Sequence, residues 1–268
     1  MSQGDQTSDD EGTSTVGVDR DGPVVTISIR RPERRNAVDS ATAARLRQAF
    51  SDFDADDTLR VAVLTGAGGH FCSGADLKAL TTGDRRPVSD DGDGPMGPTR
   101  MTLTKPVIAA IEGYCVAGGL ELALWCDLRV AARDAVLGVF CRRFGVPLVD
   151  LGTVRLPRLI GHGRAMDMIL TGRGVPGPEA LDMGLVSRVV EPGHALGAAS
   201  ELAGELAELP QRCLRSDRLS AIEQWGLYEA AAAANEARRG RQVIASGETL
   251  EGARRFAAGA GRGGGTAP

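Results

Sequence analysis

Two glycine-rich turns, each running directly out of an apolar segment, constrain this chain more than any other feature. The first is TGAGGHFCSGADLKAL at 65–80, preceded by RVAVLTG at 60–66. The second is IEGYCVAGGLELALWCDL at 111–128, preceded by PVIAAIEG at 106–113. Small residues after a buried strand mark places where backbone approaches something closely. In the second segment Gly118 and Gly119 open an apolar helical run, so their N–H groups lack partners inside the helix and lie at its positive end. Such a terminus stabilises an anion. If the Ala75 N–H of the first turn points to the same spot, the pair forms an oxyanion hole, a device whose donors contribute roughly 3 kcal/mol each to transition-state stabilisation.

The remaining patterns give an α/β rhythm. Residues 23–30, PVVTISIR, alternate Val25, Ile27 and Ile29 with Thr26 and Ser28, the period of a half-buried strand. Asp39 and Ser40 offer an N-cap to a helix with Leu46, Ala49, Phe50 and Phe53 at helical spacing. Two further strands are read at 106–113 and 127–132, with a buried helix at 118–126 between them. The stretch 81–99 is rich in Gly, Pro and Asp without periodicity and reads as a mobile surface loop. Beyond Gly161, helical patterns follow one another: GRAMDMILTG, PEALDMGLV, 195–209 and 217–245. The expected organisation is a disordered acidic tail at 1–14, an α/β core at 15–200 and a helical C-terminal region at 201–268 with a flexible end.

Composition removes several function classes. The 268 residues carry a net charge of -4 and no block of positive charge, so the electrostatic footprint of nucleic-acid binding is missing. No apolar stretch reaches membrane-spanning length, and the N-terminus lacks the apolar region of a signal peptide, so a cytoplasmic protein is expected. The five cysteines form no C-x-x-C pair, and His70, His162 and His194 are scattered, so no metal site or disulfide framework is expected. His70, at the mouth of the first turn, remains a minor candidate for substrate contact.

Together with their flanks the two turns resemble the crotonase superfamily, the enoyl-CoA hydratase/isomerase family. FCSGADLK resembles its first oxyanion segment, EGYCVAGGLELALWCDLRVA its second, and GHGRAMDMILTGR with ALDMGLVSRVV its downstream helices; the likeness runs from about Val16 to Phe256. The resemblance implies a crotonase-like spiral of ββα turns with a helical C-terminal oligomerisation region, forming a homo-trimer or hexamer. It implies that the N–H groups of Ala75 and Gly118 hold the thioester oxygen of an acyl-CoA and stabilise an enolate, with no cofactor beyond the CoA of the substrate. It also implies CoA contacts from Ser73, Ala75, Asp76 and Leu77 and from the RRPERRNAV segment, with Arg34 and Arg35 at the phosphates and Ala37 beside them. Phe256, with Arg255 and Arg262 nearby, resembles a C-terminal CoA-contacting element supplied by a neighbouring subunit.

Family hydratases add water with two glutamates. Glu121 matches the first and lies one helical turn beyond Gly118; in so apolar a run its pKa is expected to rise. The position of the second is occupied by Cys141, a thiol and a poor carbon acid/base substitute. Asp150, in the same loop, takes the place where some family isomerases and dehalogenases carry a catalytic aspartate. It is read either as facing the substrate or as a loop cap or ion pair with Arg142, Arg143 or Arg155. A nucleophilic Cys141 activated by Arg142 and Arg143 is a further reading, less simple than a small residue filling vacated space. The leading expectation is a hydratase-like acyl-CoA enzyme using Glu121 and Asp150. An isomerase or thioester hydrolase with the same hole, and a non-catalytic acyl-CoA-binding protein, remain alternatives.

Overall fold

Strands with apolar residues on both faces need covering on both sides, and that requirement organises the molecule. In the computed structural model, which describes residues 14–84 and 88–260, β3 (Val61–Gly66), β4 (Val107–Ile111) and β6 (Leu128–Ala132) form the middle of a six-stranded sheet. β2 (Val24–Ile29) precedes β3, and β9 (Arg188–Val190) closes the far edge, all in parallel. β1 (Val16–Asp21) pairs antiparallel with β2 at the opposite edge. The strand pattern legible in the sequence starts at residue 23, after β1, whose last four residues are exposed; the two residues between the strands are Gly22 and Pro23, with Gly22 at φ 52°.

One face of the sheet packs against α1 (Ser40–Ala55) through Leu46, Phe50 and Phe53, which meet Ile27, Leu64 and Ile111 in the main core. Asp39 caps α1 as its composition suggests, accepting the Thr42 N–H at 2.8 Å. The other face is covered by α7 (Ala195–Glu208), whose Ala199, Leu202, Ala203 and Ala207 pack on Val61, Val63, Ile108 and Val130. The residues around 200 therefore lie within a helix that packs on the sheet.

A small second sheet sits over the carboxyl ends of the first. It joins β5 (Tyr114–Val116), β7 (Val136–Gly138) and β8 (Gly174–Pro176), with β5 and β7 parallel and β8 antiparallel. These three-residue strands are too short to show a period. Five helices punctuate this region: α2 (Leu77–Thr81), α3 (Gly118–Trp125), α4 (Gly152–Ile160), α5 (His162–Thr171) and α6 (Gly177–Asp182). The buried Arg129 guanidinium ends α3 by donating to the carbonyls of Ala123 and Cys126, at 3.2 and 2.7 Å.

The C-terminal region is helical, but the single pattern read across 217–245 is two helices. α8 (Gln211–Glu223) and α9 (Glu229–Ala245) are separated at Gln224–Gly226, and the Arg239–Glu223 ion pair ties them together; α10 (Glu248–Ala257) follows. Arg218 fastens α8 to the body through Asp127 and the Leu103 carbonyl, at 2.8 and 2.6 Å. The expected tail at 1–14 falls almost wholly outside the described residues, as do 261–268 of the expected flexible end. The loop expectation for 81–99 needs correction. Residues 81–83 and 88–93 are exposed, whereas Gly94 and Met96–Thr99 are buried against α1, α3 and the turn before α4.

Candidate active site

The two glycine-rich turns meet. Residues 35–38 run alongside 73–76: Ser73 N–H donates to the Arg35 carbonyl at 3.0 Å, Val38 N–H to the Gly74 carbonyl at 2.8 Å, and Asp76 N–H to the Val38 carbonyl at 2.9 Å. Because amides of extended chain point alternately to opposite sides, this pairing uses the groups on either side of Ala75 and turns its own N–H the other way. That side faces the start of α3. The second turn is held likewise: the Cys72 N–H donates to the Tyr114 carbonyl and the Val116 N–H to the Cys72 carbonyl, both at 3.0 Å, and the Ala117 N–H donates to the Gly138 carbonyl at 2.9 Å. Ala117 then adopts φ 54° and ψ -127°, an unfavourable conformation for a residue with a Cβ, and Gly118 follows as the first residue of α3. Among the described residues neither Ala75 N–H nor Gly118 N–H has a hydrogen-bond partner.

Glycines permit this approach. Gly74 has φ +94°, and a Cβ there would lie 2.8 Å from the Gly118 nitrogen; a Cβ on Gly119 would lie 2.1 Å from the Cys72 carbonyl oxygen. Ala75 and Gly118 both line one cavity of about 120 Å³, whose apolar wall includes Leu77, Met96, Phe140, Phe144 and Val146. Glu121, Cys141 and Asp150 line it too.

Glu121 is 2% exposed, and a single oxygen, Oε1, accepts the N–H groups of Asp150 and Gly152, both at 2.8 Å. The intervening Leu151 is left-handed, φ 69°, which turns those N–H groups to one side as a concave nest at the N-terminus of α4. Burial pushes the carboxyl up, the neighbouring Asp150 pushes it further, and the nest opposes both; the result is about 7. Among the described residues Glu121 forms no ion pair.

Asp150 is equally buried, and its Oδ1 accepts the Met96 N–H at 2.9 Å and the Thr99 hydroxyl. It makes no ion pair with Arg142, Arg143 or Arg155. Arg142 and Arg143 turn away to the carbonyls of Ile169 and Gly172, at 3.3 Å and at 3.0 and 2.7 Å. Burial and then the Glu121 charge push the Cys141 thiol up despite Arg142, so the environment opposes a thiolate nucleophile. His70 Nδ1 accepts the Tyr114 N–H at 3.3 Å and its ring lies against Tyr114, outside the cavity wall.

The candidate CoA-contacting residues divide. Ser73 and Leu77 line the cavity with Ala75. Arg34 and Arg35 are exposed on the adjoining turn, with Arg35 over the Tyr114 ring at 5.3 Å, and Ala37 is buried with its carbonyl taken by Arg31. Asp76 is committed to structure: its Oδ1 caps α2 through the N–H groups of Lys78 and Ala79, at 3.1 and 3.2 Å, and its Oδ2 pairs with Arg31 at 2.9 Å. Burial raises its pKa, but the Ala79 N–H, Arg31 and the Lys78 N–H outweigh that and leave it lowered. Phe256 is 65% exposed on α10 and takes no part in the cavity wall; Arg262 lies outside the described residues. Sequence reasoning missed Met96 and Thr99, which come from the supposed surface loop. It also missed the nest around Leu151, which no residue type announces.

A family model for enoyl-CoA hydratase/isomerase matches residues 19–258. The chain belongs to that family. It is 36% identical over 248 residues to an enoyl-CoA hydratase of Mycobacterium tuberculosis, covering 90% of this chain and 92% of that one. It is 40% identical over 199 residues to a carnitinyl-CoA dehydratase of Salmonella arizonae, covering 73% and 76%. Among solved structures, an enoyl-CoA hydratase from Mycobacterium tuberculosis superposes with a TM-score of 0.86 at 38% identity, over 91% of this chain and 96% of that one. One from Bacillus anthracis gives 0.83 at 33%, with the same coverage. The fold is thus that of the crotonase enzymes, and the chain is an enzyme of the hydratase type. Among the described residues no group of three or more His, Cys, Asp or Glu could hold a metal ion, and no helix is long and apolar enough to cross a membrane.

Proposed function

We propose that the chain hydrates a 2-enoyl-CoA, with the thioester oxygen held between the N–H groups of Ala75 and Gly118. The observation that carries this reading is the meeting, in one apolar cavity, of Ala75 and Gly118, whose amides have no partner among the described residues, with a buried carboxyl whose pKa is about 7. The amides stabilise the enolate oxygen that forms when water attacks the β-carbon, and the positive end of α3 adds to that stabilisation. Glu121 is close to half ionised at neutral pH, so it can take a proton from the attacking water and give one back. Asp150, on the same wall, shares the proton transfer to the α-carbon. The oxygen of water ends on the β-carbon and one proton on the α-carbon, with no oxidant or metal in the balance.

The turn at Ser73, Ala75 and Leu77 is the route by which CoA enters in this reading. The exposed Arg34 and Arg35 suit its phosphates. In this reading the protein is a cytoplasmic homo-trimer or hexamer, and the exposed Trp225, Tyr228, Ile244 and Phe256 of the C-terminal region suit contact with neighbouring subunits.

The test is loss of the conjugated enoyl absorbance of crotonyl-CoA, with the 3-hydroxyacyl product identified by mass. Glu121→Gln should lower kcat by about 10²- to 10⁴-fold. Unchanged turnover in that variant would overturn the reading.

A further inference from the structure

The two buried carboxyls are held alike: each has one oxygen fixed by two donors, and for Asp150 one of those donors is a side chain. Thr99 is fully buried, and its hydroxyl donates to Asp150 Oδ1 beside the Met96 N–H. Behind this contact, the Arg155 guanidinium spans both backbones, with Nη2 on the Thr99 carbonyl at 2.7 Å and Nη1 on the Asp150 carbonyl at 3.3 Å. The fit has no slack, because a Cβ on Gly94 would lie 2.0 Å from Thr99 Oγ1 and 2.7 Å from Asp150 Oδ1. Asp150 Oδ2 accepts no hydrogen bond among the described residues.

Resting on the proposed hydration, we infer that Thr99, gripped from behind by Arg155, is the positioning residue that fixes the Asp150 carboxyl so that Oδ2 alone meets the substrate. The physical reason is torsional. The terminal torsion of an aspartate is broad and nearly two-fold, so a carboxyl without fixed partners presents either oxygen over a range of angles. Two donors on Oδ1 remove that freedom. Thr99 and Met96 come from the segment before β4, whereas Asp150 and Arg155 come from the turn into α4. Arg155 holds these separate segments in one register, and its planar fork suits two carbonyls as the point charge of a lysine does not.

The experiment compares Thr99→Val with Thr99→Ser in crotonyl-CoA hydration, alone and combined with Asp150→Asn. Valine keeps the shape and removes the donor; serine keeps the donor. Thr99→Val should lower kcat about 10- to 100-fold with KM changed less than about 3-fold, since misplacement of a reacting group by about 1 Å has effects of that order. Thr99→Ser should return kcat to within about 3-fold of the parent. In the Asp150→Asn background Thr99→Val should add less than about 2-fold, because the two residues act as one unit. Equal loss in the valine and serine variants, or a full Thr99→Val effect with Asp150 already changed, would overturn the inference. So would wild-type turnover by Asp150→Asn, while Glu121→Gln decides the hydration reading separately. Should Thr99→Val not fold, Arg155→Lys carries the test: lower kcat at constant KM, with the loss absent in the Asp150→Asn background.

Discussion

Glu121→Gln should make the protein more stable at alkaline pH while it removes activity. The carboxyl is raised from 4.5 to about 7, chiefly by burial. Between those values the native state binds more protons than the unfolded chain, so stability falls as pH rises through the window and levels off above it. The full difference corresponds to roughly 3 kcal/mol lost at pH 8 relative to pH 4. Glutamine has no charge to desolvate and keeps an oxygen for the N–H groups of Asp150 and Gly152, but its amide introduces donors into the pocket. A net gain of about 2 kcal/mol at pH 8 is therefore expected, which is about 5 °C in Tm for a chain of this size. Near pH 4.5, where the parent has recovered the proton, the cost of the amide donors should leave the variant about 1 kcal/mol less stable than the parent. Scanning calorimetry at both pH values checks this. A variant less stable than the parent at pH 8, or a difference independent of pH, would show that the nest holds Glu121 as a stabilised anion and would refute the reasoning.

Other outcomes follow from the same geometry. Gly152→Ala places a Cβ 2.8 Å from Glu121 Oε1, so it should cut kcat by about 10²-fold through displacement of the carboxyl while circular dichroism stays native. Gly74→Ala forces a side chain onto a left-handed backbone against the Gly118 nitrogen; it should cost about 1–3 kcal/mol in urea unfolding and splay the two donors, with loss of turnover. Cys141→Ala should retain kcat within about 3-fold. The acidic limb of the kcat/KM profile should fall near pH 7 and vanish in Glu121→Gln.

The sequence made the sheet legible where strands are long and apolar: β2, β3, β4 and β6 stand where their patterns place them. The short strands β5, β7 and β8 are fixed by pairing with one another and by the two turns they carry, so no local period announces them. Gly118 and Glu121 were readable because a helix start and a one-turn spacing are local facts. The approach of Ala75 to Gly118 depends on pairing between residues 35–38 and 73–76, which is long-range. Cys141 stood out as a departure from the family pattern, and the structure agrees that its surroundings suit a protonated thiol. The 81–99 stretch misled because glycine, proline and aspartate describe a surface loop and also a tight turn wedged between helices. Gly94 and Gly97 serve the second purpose, bringing Met96 over Gly118 and Thr99 to Asp150. The fork of Arg155 is likewise visible only once the two segments are in contact.

The central claim is that the amides of Ala75 and Gly118 take the thioester oxygen, and the vibration of that carbonyl reports it directly. Raman difference spectra of an enoyl-CoA carrying a ¹³C label at the thioester carbon, bound to Glu121→Gln so that it is not consumed, should show the C=O stretch moved to lower frequency than in solution. Gly74→Ala should return it toward the solution value. A bound ligand whose carbonyl vibrates as it does in free solution would contradict the account.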